Sequence, residues 1–194
     1  MLIVVTPAST SALTTASRAA AMLGVLADAA LSMAIDTASS MIVDYCRRPF
    51  AAETVRETFR SPRDGLLLSR APVTNIEFIE EAGAALAAPD YELDGQRLFR
   101  VSGACRIDWH LIVSVTYTAG YSLPADNGTW TLPAAVERAA ILVAGAILSN
   151  RTRDPMMRSE SVEGVGSSSW WIPESCSLPS PEADTLLTHY RKIL

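Results

Sequence analysis

Chemistry-bearing side chains are scarce in this sequence. Its 194 residues include two histidines, His110 and His189, and three cysteines, Cys46, Cys105 and Cys176. Asp108 and His110 flank Trp109. In a strand, residues two apart share a face, so a carboxylate would stand beside an imidazole as in a hydrolase relay. Such a pair needs a nucleophile, and no serine or cysteine here lies in a nucleophile-elbow context. The pair reads as a solvated strand end, and His189 as a residue that helps to end a terminal helix. Asp90, Glu92 and Asp94 share strand parity and could turn oxygens toward a hard cation. Only Gly95 follows them and the EF-hand spacing is missing, so a solvated edge accounts for them better. The cysteines are odd in number, widely spaced and free of C-x-x-C, which argues against a disulfide framework or a zinc site and for a reducing compartment. Gly164-Val165-Gly166 lacks the third glycine of a dinucleotide fingerprint, and no P-loop or H-E-x-x-H string occurs. Asn127-Gly128-Thr129 has the form of a glycosylation sequon but reads as a turn. No residue is assigned a catalytic, cofactor-binding or metal-binding role.

The elements that would position these residues follow from patterning. Residues 1–13 read as an extended lead-in. A helix is expected from Thr14 or Thr15 to Leu23, with Thr14 as cap and Gly24 at the left-handed exit. A second fits Asp28 to about Arg47, because Leu31, Ile35, Ala38, Ile42 and Tyr45 recur at helical spacing. Arg47 and Arg48 close it and Pro49 forbids its continuation. Between positions 50 and 123 short β-rich runs alternate with turns: Thr54–Arg60, Leu66–Ser69, Val73–Glu80, Tyr91–Leu93, Arg97–Val101 and Leu111–Thr118. Arg63-Asp64-Gly65 marks a turn, and Asp94-Gly95 a hairpin. In the last run Leu111, Val113, Val115 and Tyr117 alternate with more polar residues, as in an antiparallel sheet with one buried side. A third helix is expected over 133–151, with Pro133 in its first turn, Glu137 near its positive end, and a stripe of Val136, Ala140, Val143 and Ile147. Its alanines and Gly145 would let another helix approach closely. Periodicity is then lost until a short helix at Pro181–Arg191 capped by Ser180. The fold class is α+β: a small helical bundle with an inserted antiparallel β block and a C-terminal arm ending in a short helix. The expected division is a body, 1–153, carrying the β-rich insertion 50–123, and an arm, 154–194.

Bulk composition narrows the function. Hydrophobic residues make up 49% of the chain, enough for a real core. With 21 acidic against 16 basic residues, the net charge of −5 argues against wrapping nucleic acid in a groove, which needs a cationic surface. Most of that excess lies in the middle, 11 acidic against 7 basic residues between positions 51 and 130. Lys192 is the sole lysine. The longest uncharged apolar run, Ala139 to Leu148, is far below the ~20 residues of a membrane span. No secretory signal is readable, so assembly in the cytosol and no membrane partner are expected.

What remains points to contact. Trp170 and Trp171 interrupt a Ser/Gly-rich stretch that cannot build its own core, so they need a surface to lie on, in this chain or another. The terminal helix is too short to be stable alone in water, and Leu186, Leu187 and Tyr190 must dock somewhere.

Several strings, taken in order, resemble the head–tail connector (adaptor) family of tailed bacteriophages and gene transfer agents. They are Ile3-Val4-Val5-Thr6-Pro7, Leu13-Thr14-Thr15, Ala20-Ala21-Met22-Leu23-Gly24, Ala38-Ser39-Ser40 and Tyr45-Cys46-Arg47-Arg48-Pro49-Phe50. Leu66–Ser69 with Ala71-Pro72-Val73, Ser159-Glu160-Ser161-Val162 and Leu186–Arg191 continue the series. The most telling is Val115-Thr116-Tyr117-Thr118-Ala119-Gly120-Tyr121 ahead of the proline-started helix at Leu132-Pro133. The first helix, around Ser17-Arg18, is less charged than is usual in the family, and Trp170-Trp171 stands where a strand-like segment is expected. The resemblance implies a non-enzymatic virion protein of the neck, without cofactor. It implies a homo-oligomeric ring, typically a dodecamer, between the portal protein and a stopper or tail-completion protein. Genomic double-stranded DNA would pass through its channel without sequence-specific binding. Portal contact would fall to the arm: Trp170, Trp171, Leu186, Leu187, Tyr190 and Arg191. Two other readings stay open, a hydrolase or transferase using Asp108 and His110, and a carbohydrate- or protein-binding β module that stacks ligands on Trp109, Trp130, Trp170 and Trp171.

Overall fold

The computed structural model describes residues 1–60, 65–103, 105–125, 128–152, 159–162, 166–169 and 178–192. It is α+β, as the patterning requires, and the chain divides into two compact units. One unit comprises Met1–Thr10 and Ala51–Ser122, the other Ser11–Phe50 and Leu123–Leu194.

The first unit is built from β-strands. Strands β1 (Leu2–Thr6), β2 (Glu53–Arg60), β4 (Val73–Glu81), β5 (Ala84–Ala85) and β9 (Ile112–Ala119) form an antiparallel sheet in the order β1-β2-β9-β4-β5. A smaller sheet takes β3 (Leu66–Leu67), β6 (Tyr91–Asp94) and β7 (Arg97–Ser102) in the order β3-β7-β6, with β8 (Cys105–Ile107) also on β7. Because strand side chains alternate, β9 sends Val113, Val115 and Tyr117 inward, all fully buried. They share one core with Val55, Ile79, Leu66, Leu68, Leu98 and Trp109. The expected hairpin joins β6 to β7, Gly95 taking the positive φ of +60° that the turn needs.

The lead-in is extended as expected and gains a partner: Leu2–Thr6 pairs antiparallel with β2, about fifty residues away, which local patterning cannot name. Leu111 does not join the inward row of β9, for its φ is +48° and its side chain is 69% exposed, so the strand begins at Ile112. Gly120 has its own reason. At φ +120° it lies so close to β2's entry that a Cβ would stand 2.4 Å from the Ala51 carbonyl oxygen.

The second unit is helical: α1 (Ala16–Leu23), α2 (Ala29–Cys46), α3 (Ala134–Ser149) and α4 (Pro181–Leu187). It also holds a small hairpin of β10 (Ser159–Val162) and β11 (Gly166–Ser169). The helix signals are met with one shift of residue. Thr15, not Thr14, caps α1 by accepting from the Arg18 amide at 3.3 Å, while Thr14 is buried and turned to another task. Gly24 exits at φ +68°. Asp28 caps α2 by accepting from the Leu31 amide at 2.8 Å, and Arg47 ends it in the left-handed conformation at φ +54°. Leu31, Ile35, Ala38 and Ile42 bury the expected stripe, as do Val136, Ala140 and Val143 of α3. A Cβ on Gly145 would come within 2.8 Å of the Leu23 side chain, so this glycine admits the end of α1 to α3.

Candidate interaction surfaces

The residues with catalytic potential are not gathered. Asp108 and His110 are exposed and lie between β8 and β9, outside any strand, so the shared face that strand geometry would give them is absent. Between them Trp109 is 3% exposed and donates its indole N–H to the Leu98 carbonyl at 3.3 Å. That stretch is shaped to bury a tryptophan. Asp90, Glu92 and Asp94 do not form a cation site either, since two of the three meet arginines. Asp90 stands 3.7 Å from Arg100 and accepts from the Ala87 amide, and Glu92 takes Arg106 at 2.9 Å. The Arg106 hydrogen bond holds the Glu92 carboxyl below its ordinary range. Among the described residues no three His, Cys, Asp or Glu side chains converge as a metal would need.

Among the described residues three acids are buried, Glu57, Glu81 and Glu137, of which the sequence had singled out Glu137 alone, for its place in the first turn of α3. Glu57 on β2 accepts from the Ser69 amide at 3.0 Å, the Ser69 hydroxyl, and the Tyr117 hydroxyl at 2.9 Å. Burial first, and then Glu57, push the Tyr117 phenol well above its ordinary value. Glu81 on β4 takes Arg100 at 2.9 Å and the His110 amide at 2.8 Å, while Arg100 also reaches the carbonyls of Asp90 and Val101. Glu137 on α3 receives Arg18 through two hydrogen bonds, at 2.6 and 3.0 Å, and the Thr14 hydroxyl at 3.1 Å. A signal existed for Glu57, which shares the parity of Val55 and Phe59 in an alternating strand, the wrong side for a solvated acid. Buried carboxylates are tolerable only when paired or hydrogen-bonded, and these are. Their lone pairs are occupied by the fold.

The terminal helix finds its surface within its own unit. Ala183 and Leu187 are fully buried, and α4 packs on α3. Arg138 and Glu182 pair at 2.7 Å. Tyr190 meets Phe50 edge-on at 6.3 Å between ring centroids, and Arg191 lies 4.7 Å over the Tyr45 ring. The Lys192 amide donates to the Cys46 carbonyl at 2.9 Å, continuing the end of α2. Burial pushes the Cys46 thiol up to about 11, which suits a thiol that packs and does not react. The surface that the terminal helix was expected to need is thus met by its own unit, to different degrees for Leu186, Leu187 and Tyr190. Leu187 faces home because an apolar helix this short gains most by docking at once. Leu186 and Tyr190 are half-buried, and Arg191 is exposed. Trp170 and Trp171 lie outside the described residues. Of the other two tryptophans, Trp109 is buried and Trp130 lies under Arg18, whose guanidinium is 4.2 Å from the ring, so neither offers the open platform that ligand stacking requires.

Among the described residues exposed apolar side chains occur in both units, and two groups of them lie together. One is β1 at the edge of its sheet, with Ile3, Val4 and Val5 exposed. The other is an open groove of about 240 Å³ between α2 and α3, lined by Ala30, Met33, Ala34, Thr37, Ile147, Leu148 and Arg151. Helix α3 is uncharged from Ala139 to Leu148, beyond the stripe it buries, whereas α2 carries Ser32, Asp36, Thr37 and Ser40 outside its own.

No family model matches the sequence, and no curated protein matches it. Solved structures do. A chain of the neck of a native GTA particle computed with C12 symmetry is 18% identical, with a TM-score of 0.60, over 100% of this chain and 96% of that one. A chain of the neck of an empty GTA particle computed with C6 symmetry is 18% identical at a TM-score of 0.59, with the same coverage. A chain of the virion of a native gene transfer agent (GTA) particle is 19% identical at a TM-score of 0.60, again with that coverage. The chain thus has the fold of gene-transfer-agent neck proteins from end to end, and the resemblance read from its sequence holds at the level of fold.

Proposed function

We propose that this protein is a structural component of a virion neck, an adaptor ring that joins the portal of a DNA-filled head to the next neck or tail component. The observation that carries the reading is the end-to-end match in fold to neck proteins, with neither chain leaving a substantial part unmatched. The occupied carboxylates and the separated Asp108 and His110 agree with a role without catalysis. Particle necks computed with twelvefold and sixfold symmetry support a closed ring of identical copies, twelve in this proposal. Ring closure of that kind is heterologous: each copy offers one surface and receives on another. The net charge of −5 suits a channel through which a duplex must slide, because phosphates are repelled and not captured.

Contact with the portal falls to the C-terminal arm, through Trp170, Trp171, Leu186, Tyr190 and Arg191. Leu187 supports them from inside by anchoring the helix to its own unit. A stopper or tail-completion protein meets the opposite surface, and no membrane is involved. Among the described residues no helix is long and apolar enough to cross one. The test is to mix the full chain with purified DNA-filled, portal-bearing heads and to reconstruct the neck by electron cryomicroscopy. A ring of added density against the portal is the expected result. Heads that stay bare under conditions where the chain is folded would remove the reading.

A further inference from the structure

We infer that the open edge of β1 takes a further strand, and that this strand comes from the β10–β11 hairpin of a neighbouring copy of the chain. The inference rests on the ring reading above and adds to it how the copies join. The first ground is the edge itself. Met1 exchanges both backbone hydrogen bonds with Thr58, at 2.9 and 2.8 Å, and Ile3 lies opposite Arg56. In an antiparallel ladder alternate residues bond to the partner, so Leu2 and Val4 turn their N–H and C=O groups away from β2, where the sheet ends. Soluble proteins blunt such edges with charge, proline, bulges or shortness. Among the described residues the other edges of the two larger sheets obey that rule. Strands β3 and β5 are two residues long, β6 carries Glu92 and Asp94, and β8 carries Arg106. In β1 a bulge falls only after Val4, and the residues before it carry no charged side chain, with Ile3 and Val4 exposed.

The second ground is a strand pair that lacks a third. Among the described residues β10 and β11 pair with each other and with no other strand. A hairpin of two strands is marginal in water and is stabilised by a further strand. Backbone chemistry selects the occupant of the β1 edge, because alternating donors and acceptors fit an extended chain and not a helix or a sugar. This chain carries such a segment at matching length, four residues in β10 against the four that precede the β1 bulge. Charge agrees. The exposed residues of β2, the strand beside β1, are Arg56 and Arg60, while Glu160 belongs to β10 and Glu163 follows it in sequence. Within one copy β1 and the hairpin belong to separate sheets, so the hairpin that meets β1 is a neighbour's. Each copy then gives a hairpin and receives one, the heterologous arrangement that a closed ring needs.

The experiment uses Val4→Pro in the full chain. Proline removes the N–H that would bond to an added strand and spares the β1–β2 bonds, in which the Val4 backbone takes no part. Thermal unfolding of the variant should match the parent, while its yield of rings on portal-bearing heads falls about tenfold or more. Val4→Thr, which keeps the N–H, should keep parental yield. A photo-cross-linking residue at position 5, in rings grown from mixed isotope-labelled and unlabelled chains, should give adducts to residues 159–169 that join labelled to unlabelled copies. Parental ring yield from folded Val4→Pro overturns the strand assignment and leaves the ring standing. So do adducts to a portal peptide, to other residues of this chain, or within single copies only. Bare heads with the unaltered chain overturn the ring, and the strand assignment with it.

Discussion

In the β unit the interior carries charge: Glu57 sits among Ser69 and Tyr117, and Glu81 is locked to Arg100. In the helical unit the interior is apolar, with Ala34, Ala38, Ala139, Ala140 and Ala144 among its small buried residues, and among the described residues its one buried acid is Glu137. The exteriors are mixed in both: Ile3, Val4, Phe78 and Ile112 are exposed in the β unit and Val25, Leu26 and Met33 in the helical one. The outward rows of the β unit's large sheet also carry threonines and serines that bond across strands, Thr54 to Thr118 at 2.9 Å and Thr58 to Ser114 at 3.2 Å. The helical unit leaves an apolar groove open. A strand pair satisfies its polar groups locally, along the ladder, whereas the helices of the second unit are held by packing between elements. The difference therefore lies in the interiors: the β unit is tied together by hydrogen-bonded acids, and the helical unit by close apolar crossings.

Each unit also has a glycine at a close approach, and they differ in kind. Gly120 meets backbone, at a positive φ, while Gly145 meets the far end of the Leu23 side chain. Gly120→Ala is therefore expected to have the largest effect, about 3 kcal/mol or more, because both φ and the Ala51 carbonyl oppose a Cβ. Urea unfolding would read this as a lower midpoint, and an unchanged midpoint would show that the strand crossing at Ala51 yields easily.

Arg18→Ala comes next, at about 2–3 kcal/mol, because it leaves the Glu137 carboxylate buried with only Thr14. The figure lies at the lower end because the Arg18 side chain is 38% exposed and its charge is partly screened. Glu137→Gln should cost less, since it leaves no buried charge. Reversal of that order in the same unfolding assay would mean that an unpaired Glu137 carboxylate is tolerated there, so that its burial is not what makes Arg18 matter.

Gly145→Ala should have the smallest effect, within about 0.5 kcal/mol, as the helix-propensity gain of about 1 kcal/mol offsets a small shift of Leu23. A loss as large as that of Gly120→Ala would erase the distinction between the two glycines.

What residues 14 to 50 and 132 to 151 do was legible in the chain itself, since caps, helical spacing and a proline stop act over a few residues. The alternation of Val113, Val115 and Tyr117 likewise named the buried side of its strand without reference to any partner. Local signals could not say that Leu2–Thr6 would complete a sheet with β2, that Leu187 would dock within its own unit, or that Asp108 and His110 would never share a strand face. Those outcomes depend on pairings between residues distant in sequence, where the gain comes from burial against a particular surface. The sequence by itself determined the elements, the scarcity of reactive groups and the excess of apolar helix surface. Strand parity pointed to Glu57, but only tertiary structure decided that Glu81 and Glu137 are buried and which apolar faces are left open, because burial belongs to packed pairs and no residue carries it alone.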